Sequence, residues 1–356
     1  MFIKKYYKDM KDFFTKTKQY LSSHKKLSKA LLIFAGLLIV FIIIISVLLS
    51  AKSNNDKDVE LYIYPNTTYE QLCDTLQAHN IVKVNRFAFR AYSKALNLKK
   101  NVRPGYYIID SEMPVFNLVR HLRNGEQEPI EITILYARNI EEFAQKVTKN
   151  LMMTEEDLLK QIDSLNYDYP TMVYNDILPD TYEFFWTVSP KDFLAKLKKN
   201  ADKWWNKRKS DVEESGFSKE ELVVLASIVN EETNYDKEKK RIAGVYVNRI
   251  KIGQALQADP TVKFAMGDFS IKRISGDMLK INSPFNTYTH TGLPPAPICI
   301  PNMASLKAAI DYEEHNYYYF CAKEDFSGSH NFAKTFEQHQ RNAKKYHKAL
   351  NERNIK

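Results

Sequence analysis

The chain has 356 residues, of which 44% are apolar, enough to form more than one domain with its own core. Its formal net charge of +9 could indicate a nucleic-acid-binding protein, but ten lysines and only two acidic residues lie within positions 1–52. The basic charge is therefore confined to one tail, which argues against nucleic acid as a partner. Three widely spaced cysteines, Cys73, Cys299 and Cys321, support neither a disulfide framework nor a zinc site.

An uninterrupted apolar segment follows the basic tail, residues 1–29. Residues 30–49 contain no charge and no proline, and as a helix they would span roughly 30 Å, the hydrocarbon thickness of a bilayer. A signal peptide has a shorter apolar core and a small-residue cleavage site, so we predict an uncleaved transmembrane helix over 30–50. The lysines before it predict a cytoplasmic N-terminus, with everything after the helix outside the cytoplasmic (inner) membrane.

A short polar linker, residues 51–58, is followed by a small module over residues 59–127. Its pattern predicts a strand at 59–65, helices over 69–80 and 86–98, a strand at 106–109 and a helix over 114–125. Thr68 can cap the first of these helices, and Gly125 can end the last. The module contains no acid pair or nucleophile–base arrangement, so we interpret it as a binding or spacing unit.

The remaining residues, 128–350, predict a larger domain with a mixed pattern. A strand at 128–135 precedes helices over 139–151, 154–164 and 190–213. The elements do not alternate as regular βαβ units, so the predicted fold class is α+β. A chain with only 10 glycines offers no phosphate-binding loop and no dinucleotide fingerprint.

One helix of this domain carries the candidate catalytic carboxyl. Ser218 and Glu221 form a capping box, so a helix begins at this position, and its first turns are apolar nearly all round. At 100° per residue, Glu232 projects into an apolar stripe, whereas Glu231 projects nearer the polar side. Glu232 is therefore the carboxyl expected to be desolvated. Desolvation raises a carboxyl pKa, as a general acid at neutral pH requires.

Polar and aromatic residues on proline-rich loops follow this helix, as expected for a groove that orients a sugar by hydrogen bonds and stacking. They occur in QALQADPT (254–261), SPFNTY (283–288), TGLPPAPI (291–298) and GSHNF (328–332). An equally plain interpretation of the proline-rich segment is a rigid turn packed by its own prolines and aromatic residues.

Taken together, these segments resemble the endolytic murein transglycosylase (YceG-like) family. The resemblance rests on LASIVNEET, NRI-x-x-G-x-x-LQADPTV, NTY-x-x-x-GLPP-x-PI-x-x-P, SLKAA and H-x-F-x-x-T-x-x-x-H, in this order over residues 128–345. It implies that residues 59–127 form a LysM-like module and 128–350 the catalytic domain. It also implies peptidoglycan glycan strands as substrate, with cell-wall elongation or synthase proteins as partners.

The resemblance places the family's catalytic glutamate on Glu232, in agreement with the helical geometry. Glu232 would protonate the glycosidic oxygen between N-acetylmuramic acid and N-acetylglucosamine. Its carboxylate would then deprotonate the muramic C6 hydroxyl, which leaves a 1,6-anhydro end. This route needs no second carboxylate, metal or cofactor. Six further residues are expected to bind the substrate: Thr233, Gln257, Asp259, Asn286, Tyr288 and His330.

Three other interpretations remain open at the level of sequence. A hydrolase would pair Glu232 with Asp259 as nucleophile or base, because retaining and inverting glycosidases use two carboxyl groups. A glycan-binding scaffold would use the same fold without turnover. A Ser/His or Cys/His hydrolase has the least support, because the chain has no G-x-S-x-G elbow, and His330 and His339 are interpreted as loop or core residues.

Overall fold

The computed structural model describes residues 2–23, 25–82, 85–271, 274 and 276–352. The chain forms two compact units, the first ending at Glu128 and the second beginning at Pro129. The architecture is mixed α and β, mostly helical with small antiparallel sheets, as the predicted α+β class requires.

Two helices open the first unit: α1 (Phe2–Ser23) and α2 (Lys25–Ser50). Within residues 29–50 of α2, an 18-residue window has a mean hydropathy of 3.4, and none of that window is buried inside the protein. By length and composition this segment can cross a bilayer, and its position near the N-terminus fits either a membrane anchor or a signal sequence.

The rest of the first unit follows the predicted order of strand, helix, helix, strand, helix. Its elements are β1 (Val59–Ile63), α3 (Tyr69–Ala78), α4 (Arg86–Ala95), β2 (Gly105–Ile109) and α5 (Val115–Asn124). Strands β1 and β2 pair antiparallel, with Leu61 opposite Tyr107. Thr68 caps α3 in a full capping box, and Gly125, at φ 73°, ends α5. Both predicted helix boundaries are confirmed.

The second unit begins with a two-stranded sheet and a group of helices. Its first elements are β3 (Pro129–Ile134), α6 (Ile140–Thr148), α7 (Glu155–Asp163), β4 (Asp180–Phe185), α8 (Pro190–Asn206) and α9 (Lys209–Ser215). The single helix predicted over 190–213 is wrong, because two helices occupy that range. The backbone of Arg208 leaves the helical region (φ −118°, ψ 18°), and its guanidinium lies 3.9 Å from the Trp204 ring centroid.

The elements that surround the site come next. They are α10 (Lys219–Glu232), α11 (Asp236–Lys251), α12 (Asp259–Met266), α13 (Met303–Ile310), β5 (Tyr319–Ala322), β6 (His330–Ala333) and α14 (Phe336–Glu352). Helix α10 lies at the centre of the core, and all eight residues from Leu222 to Val229 are buried. Six of these eight are leucine, valine or isoleucine, and burial of each such side chain contributes about 1.5–3 kcal/mol to the free energy of unfolding. The C-terminal end of α10 is therefore firmly positioned.

A glycine on α11 sets how closely this helix approaches the segment before β5. A Cβ at Gly244 would overlap the carbonyl oxygen of Glu313 and lie 2.8 Å from Nε2 of His315. His315 Nε2 is itself 2.8 Å from the carbonyl oxygen of Arg241, and Asn248 donates to the carbonyl of His315. The absence of a side chain at position 244 therefore lets α11 and β5 come together.

We expect Gly244→Ala to lower the free energy of unfolding of the second unit by about 1–3 kcal/mol because of overpacking. At an unconstrained helix position the same change would raise the free energy of unfolding by about 1 kcal/mol. The sign of the change therefore shows whether position 244 is closely packed. Urea unfolding can be followed by tryptophan fluorescence, which reports on this unit alone because Trp186, Trp204 and Trp205 all lie in it. Lys237→Ala, an exposed change on the same helix, should be nearly neutral, and a stabilised Gly244→Ala protein would contradict the close approach.

Candidate active site

The capping box predicted for α10 is present and fixes where the helix begins. The hydroxyl of Ser218 accepts the backbone N–H of Glu221, and the carboxylate of Glu221 accepts the N–H of Ser218 at 2.8 Å. Four turns later the helix ends at Glu232, three residues after the buried stretch 222–229.

The Glu232 carboxyl is half-buried among protein groups and accepts one strong hydrogen bond. Burial raises its pKa to about 7, the hydrogen bond from Tyr246 opposes that shift, and the nearby charge of Asp259 adds to it. The Tyr246 hydroxyl donates to Oε1 of Glu232 at 2.6 Å. A carboxyl with this pKa is protonated in a large fraction of molecules at neutral pH, so it can act as a proton donor.

A cavity of about 300 Å³, here called the acid cavity, opens onto this carboxyl. Its lining combines carboxyl, phenol, imidazole and amide groups with a few apolar surfaces. The lining residues are Glu232, Tyr246, Arg249, Leu256, Gln257, Asp259, Tyr288, Phe320, Cys321, Ala322, His330 and His339.

Five of the seven residues predicted for the site line the acid cavity: Glu232, Gln257, Asp259, Tyr288 and His330. They come from four separate segments of the chain. The Tyr288 hydroxyl donates to Oδ1 of Asp259 at 2.6 Å, which places this carboxylate and a phenol side by side. Gln257 has φ +51°, a left-handed conformation that costs a non-glycine residue about 1 kcal/mol or more. This strained backbone conformation sets the direction of the exposed Gln257 side chain.

The other two predicted residues, Thr233 and Asn286, do not line the acid cavity. The Asn286 side chain is fully buried, its amide donates to the carbonyls of Leu279 and Ile281, and its Oδ1 accepts the N–H of Tyr288. Thr233 is buried, and its hydroxyl accepts the N–H of Tyr235. Their polar atoms stabilise turns, and their contact with substrate stays a prediction.

His330 reaches the acid cavity as part of a buried pair. Its Nδ1 lies 2.9 Å from Oε2 of Glu238, and the same carboxylate accepts the backbone N–H of His330. A carboxylate at Nδ1 fixes the orientation of the imidazole ring. Glu238 was not predicted from the sequence, because it lies in the first turn of α11 among charged residues that look solvent-exposed.

Arg249 is a second residue that sequence reasoning missed. Its guanidinium donates to the carbonyls of Leu256 and Tyr318 at 2.6 and 2.7 Å, and burial lowers its pKa from the usual value. It therefore connects α11 to the loop before α12 and to the start of β5, both of which line the acid cavity. The sequence did offer one signal: Arg249 lies three residues after Tyr246 on the same helix, so the two side chains are on the same face.

His339 also lines the acid cavity, although the sequence predicted only a loop or core residue. Its ring stacks on Tyr319 at 5.4 Å, and burial lowers its pKa. Within the described part of the chain, no group of three histidine, cysteine, aspartate or glutamate side chains is arranged to hold a metal ion.

Sequence comparison matches residues 61–345 to the YceG-like family. An endolytic murein transglycosylase of Bacillus subtilis is 26% identical over 329 residues, covering 86% of this chain and 90% of that protein. One from Streptococcus pneumoniae is 25% identical over 334 residues, covering 83% of this chain but only 59% of the longer pneumococcal protein. The crystal structure of a YceG-like protein from Listeria monocytogenes superposes with a TM-score of 0.50 at 25% identity, covering 81% of this chain and 99% of that one.

The raised pKa of Glu232 predicts how the stability of the second unit changes with pH. The folded state holds this proton more tightly than the unfolded chain, so the associated stabilisation is complete below the unfolded pKa of 4.5 and is lost as the pH rises through about 7. Relative to the wild type, Glu232→Gln should therefore gain roughly 2–3 kcal/mol between pH 5 and pH 8. Urea unfolding at both pH values tests this, with the exposed Glu220→Gln as control. Parallel pH dependences for wild type and Glu232→Gln would contradict a buried, protonated carboxyl.

Proposed function

The chain belongs to the YceG-like family, and from this premise we propose that it is an endolytic lytic transglycosylase of peptidoglycan. It would cleave the bond between N-acetylmuramic acid and N-acetylglucosamine inside nascent glycan strands and so limit strand length. The observation that carries the proposal is the Glu232 carboxyl, whose pKa of about 7 and position in a polar cavity suit a proton donor.

The proposed reaction uses this one carboxyl twice. Protonated Glu232 first donates its proton to the glycosidic oxygen, the bond to muramic C1 breaks, and the N-acetylglucosamine side leaves with a free hydroxyl. The Glu232 carboxylate then takes the proton of the muramic C6 hydroxyl while O6 bonds to C1. The product ends in 1,6-anhydro-N-acetylmuramic acid, and Glu232 is protonated again, so no water and no cofactor is consumed.

The neighbouring residues have distinct parts in this proposal. The Tyr246 hydrogen bond stabilises the carboxylate formed after the first proton transfer, while the desolvated surroundings favour the acid before it. Gln257, Tyr288 and His330 offer an amide, a phenol and an oriented imidazole to sugar hydroxyl and acetamido groups.

A second candidate, a glycan hydrolase, is favoured by the position of Asp259. This carboxyl lines the same cavity, and its charge raises the pKa of Glu232. A pair of carboxyl groups flanking one bond is the usual equipment of glycosidases, and such a pair would deliver water rather than O6 to C1. The two reactions leave different ends, a reducing sugar or an anhydro sugar.

We further propose that α2 is an uncleaved anchor in the cytoplasmic membrane. The lysines before the span would hold residues 1–29 in the cytoplasm, and residues 30–50 would cross the bilayer. Three parts of the chain would then lie outside the membrane: a linker over 51–58, a LysM-like module over 59–127 and the catalytic domain over 128–350. This arrangement would tether the catalytic domain to the membrane, where wall-synthesising proteins release new strands.

Mass spectrometry of the digestion products tests the reaction. The full chain in detergent, incubated with glycan strands, should cut the strands internally and release fragments that end in 1,6-anhydro-N-acetylmuramic acid. Glu232→Gln should reduce the rate by about 100-fold to 10,000-fold, the usual contribution of a positioned acid–base group. Glu220→Gln, the same substitution on an exposed residue of the same helix, should retain the wild-type rate.

Each alternative predicts a different result in that digestion. Reducing ends would show a hydrolase and direct attention to Asp259. Strands that bind but are not cut by the wild type would indicate a scaffold. Equal rates for wild type and Glu232→Gln would show that this carboxyl is not the acid.

The pH dependence of kcat/KM tests the pKa assignment separately. Activity requires protonated Glu232, so the rate should fall as pH rises above about 7. Tyr246→Phe removes the hydrogen bond that lowers this pKa and should move the falling limb to higher pH, whereas Asp259→Asn should move it to lower pH. If Tyr246→Phe lowered kcat/KM equally at every pH and the pH at which the rate falls did not change, the role of Tyr246 would be limited to packing.

A further inference from the structure

A second and larger cavity lies beside the same end of α10. Its volume is about 630 Å³, and its lining includes Tyr136, Arg138, Asn230, Glu231 and Asn302. It is called the Arg138 cavity below. None of the residues lining the acid cavity belongs to it, so the proposed reaction does not account for it.

A chain of hydrogen bonds fixes the arginine in this cavity. The Arg138 Nε donates to the Tyr136 hydroxyl at 2.7 Å, and that hydroxyl donates to Oε1 of Glu231 at 2.7 Å. The guanidinium carbon also lies 5.3 Å from the centroid of the Phe269 ring. Among the described residues, the two Nη groups of Arg138 donate no hydrogen bond, so the side chain is oriented through Nε and presents the rest of its planar fork.

A fixed guanidinium with two Nη donors matches a carboxylate, which it binds through two parallel hydrogen bonds. The sugar backbone of peptidoglycan is rich in hydroxyl and acetamido groups. Where a muramic acid carries a stem, its lactyl carboxyl is taken up in the amide bond to that stem, so the free carboxylates of such strands belong to the stems. Of the two parts of the substrate, the stem is therefore the one whose chemistry matches Arg138.

The position of the Arg138 cavity agrees with this match. Glu231 and Glu232 are consecutive, so their Cα atoms lie about 3.8 Å apart, yet Glu231 is bonded to Tyr136 and Glu232 to Tyr246. The stem leaves muramic acid at C3, on the same ring whose C1 bond would break at Glu232. A stem on the sugar being cleaved must therefore leave the ring within a few ångströms of this helix end.

We propose that the Arg138 cavity binds the peptide stem of the substrate and that Arg138 takes a stem carboxylate, an inference that rests on the proposed function. Tyr136 and Glu231 are positioning residues that hold the guanidinium in place. Strands with charged stems thus gain a contact that strands with neutral, capped stems lack.

Equilibrium binding tests the proposal without depending on turnover. The full-length Glu232→Gln protein in detergent is titrated with soluble glycan strands that carry peptide stems, and with the same strands after their stem carboxylates are converted to neutral methyl amides, here called capped strands. We expect about tenfold tighter binding of the uncapped strands, the size of a charge-assisted contact. Adding Arg138→Gln should abolish that difference, and Arg138→Lys should restore only part of it.

Arg208→Gln provides the matched control. Arg208 is also half-buried over an aromatic ring, Trp204, and lies outside both cavities, so the tenfold preference should persist in this variant. Unchanged binding of the capped strands shows that the Arg138→Gln protein is folded.

Two results would overturn the proposal: equal binding of both kinds of strand by the parent protein, or an equal loss of both on Arg138→Gln, which would indicate a sugar contact. Failure of the proposed reaction has a different signature, because wild-type protein would then produce no anhydro ends while the stem preference and its dependence on Arg138 persisted.

Discussion

The proposed chemistry of the second unit depends on one constraint, the desolvation of the Glu232 carboxyl by the protein around it. Helix α10 is buried from Leu222 to Val229, its final residue Glu232 is half-buried at the acid cavity, and desolvation raises the pKa of this carboxyl to about 7. The Tyr246 hydrogen bond limits that rise, and the charge of Asp259 increases it. The balance among these three effects, more than the presence of a glutamate, determines whether the carboxyl can donate a proton at neutral pH.

The surrounding buried polar groups keep this balance in place. Arg249 binds the carbonyls of two loops, Asn286 binds those of a third, and Glu238 orients His330. A buried polar group without a partner costs about 1–3 kcal/mol, so each of these side chains strongly favours one loop conformation. The cavity is thereby preorganised, and Gly244 allows α11 to approach closely enough for these contacts to form.

Local signals made much of this predictable from the sequence. The capping box at Ser218 and the apolar turns after it located α10 and selected Glu232 over Glu231, because helical periodicity alone separates their directions. Tyr246 could not be found in this way, since its contact with Glu232 depends on how α11 packs against α10. The buried position of Asn286 could not be foreseen for a related reason: a polar side chain on a loop looks available for ligand until the loop carbonyls it satisfies are seen. The break at Arg208 was likewise hidden within a continuous helical pattern.

The protonation state of Glu232 can be measured directly by infrared difference spectroscopy. Spectra of full-length wild type minus Glu232→Gln, recorded from pH 4 to pH 9, isolate the carbonyl stretch of this one protonated carboxyl. We expect the band to be present at pH 5 and to disappear with a midpoint near pH 7. A midpoint near 4.5, the value of a solvated glutamate, would contradict the claim that burial prepares Glu232 to act as the acid.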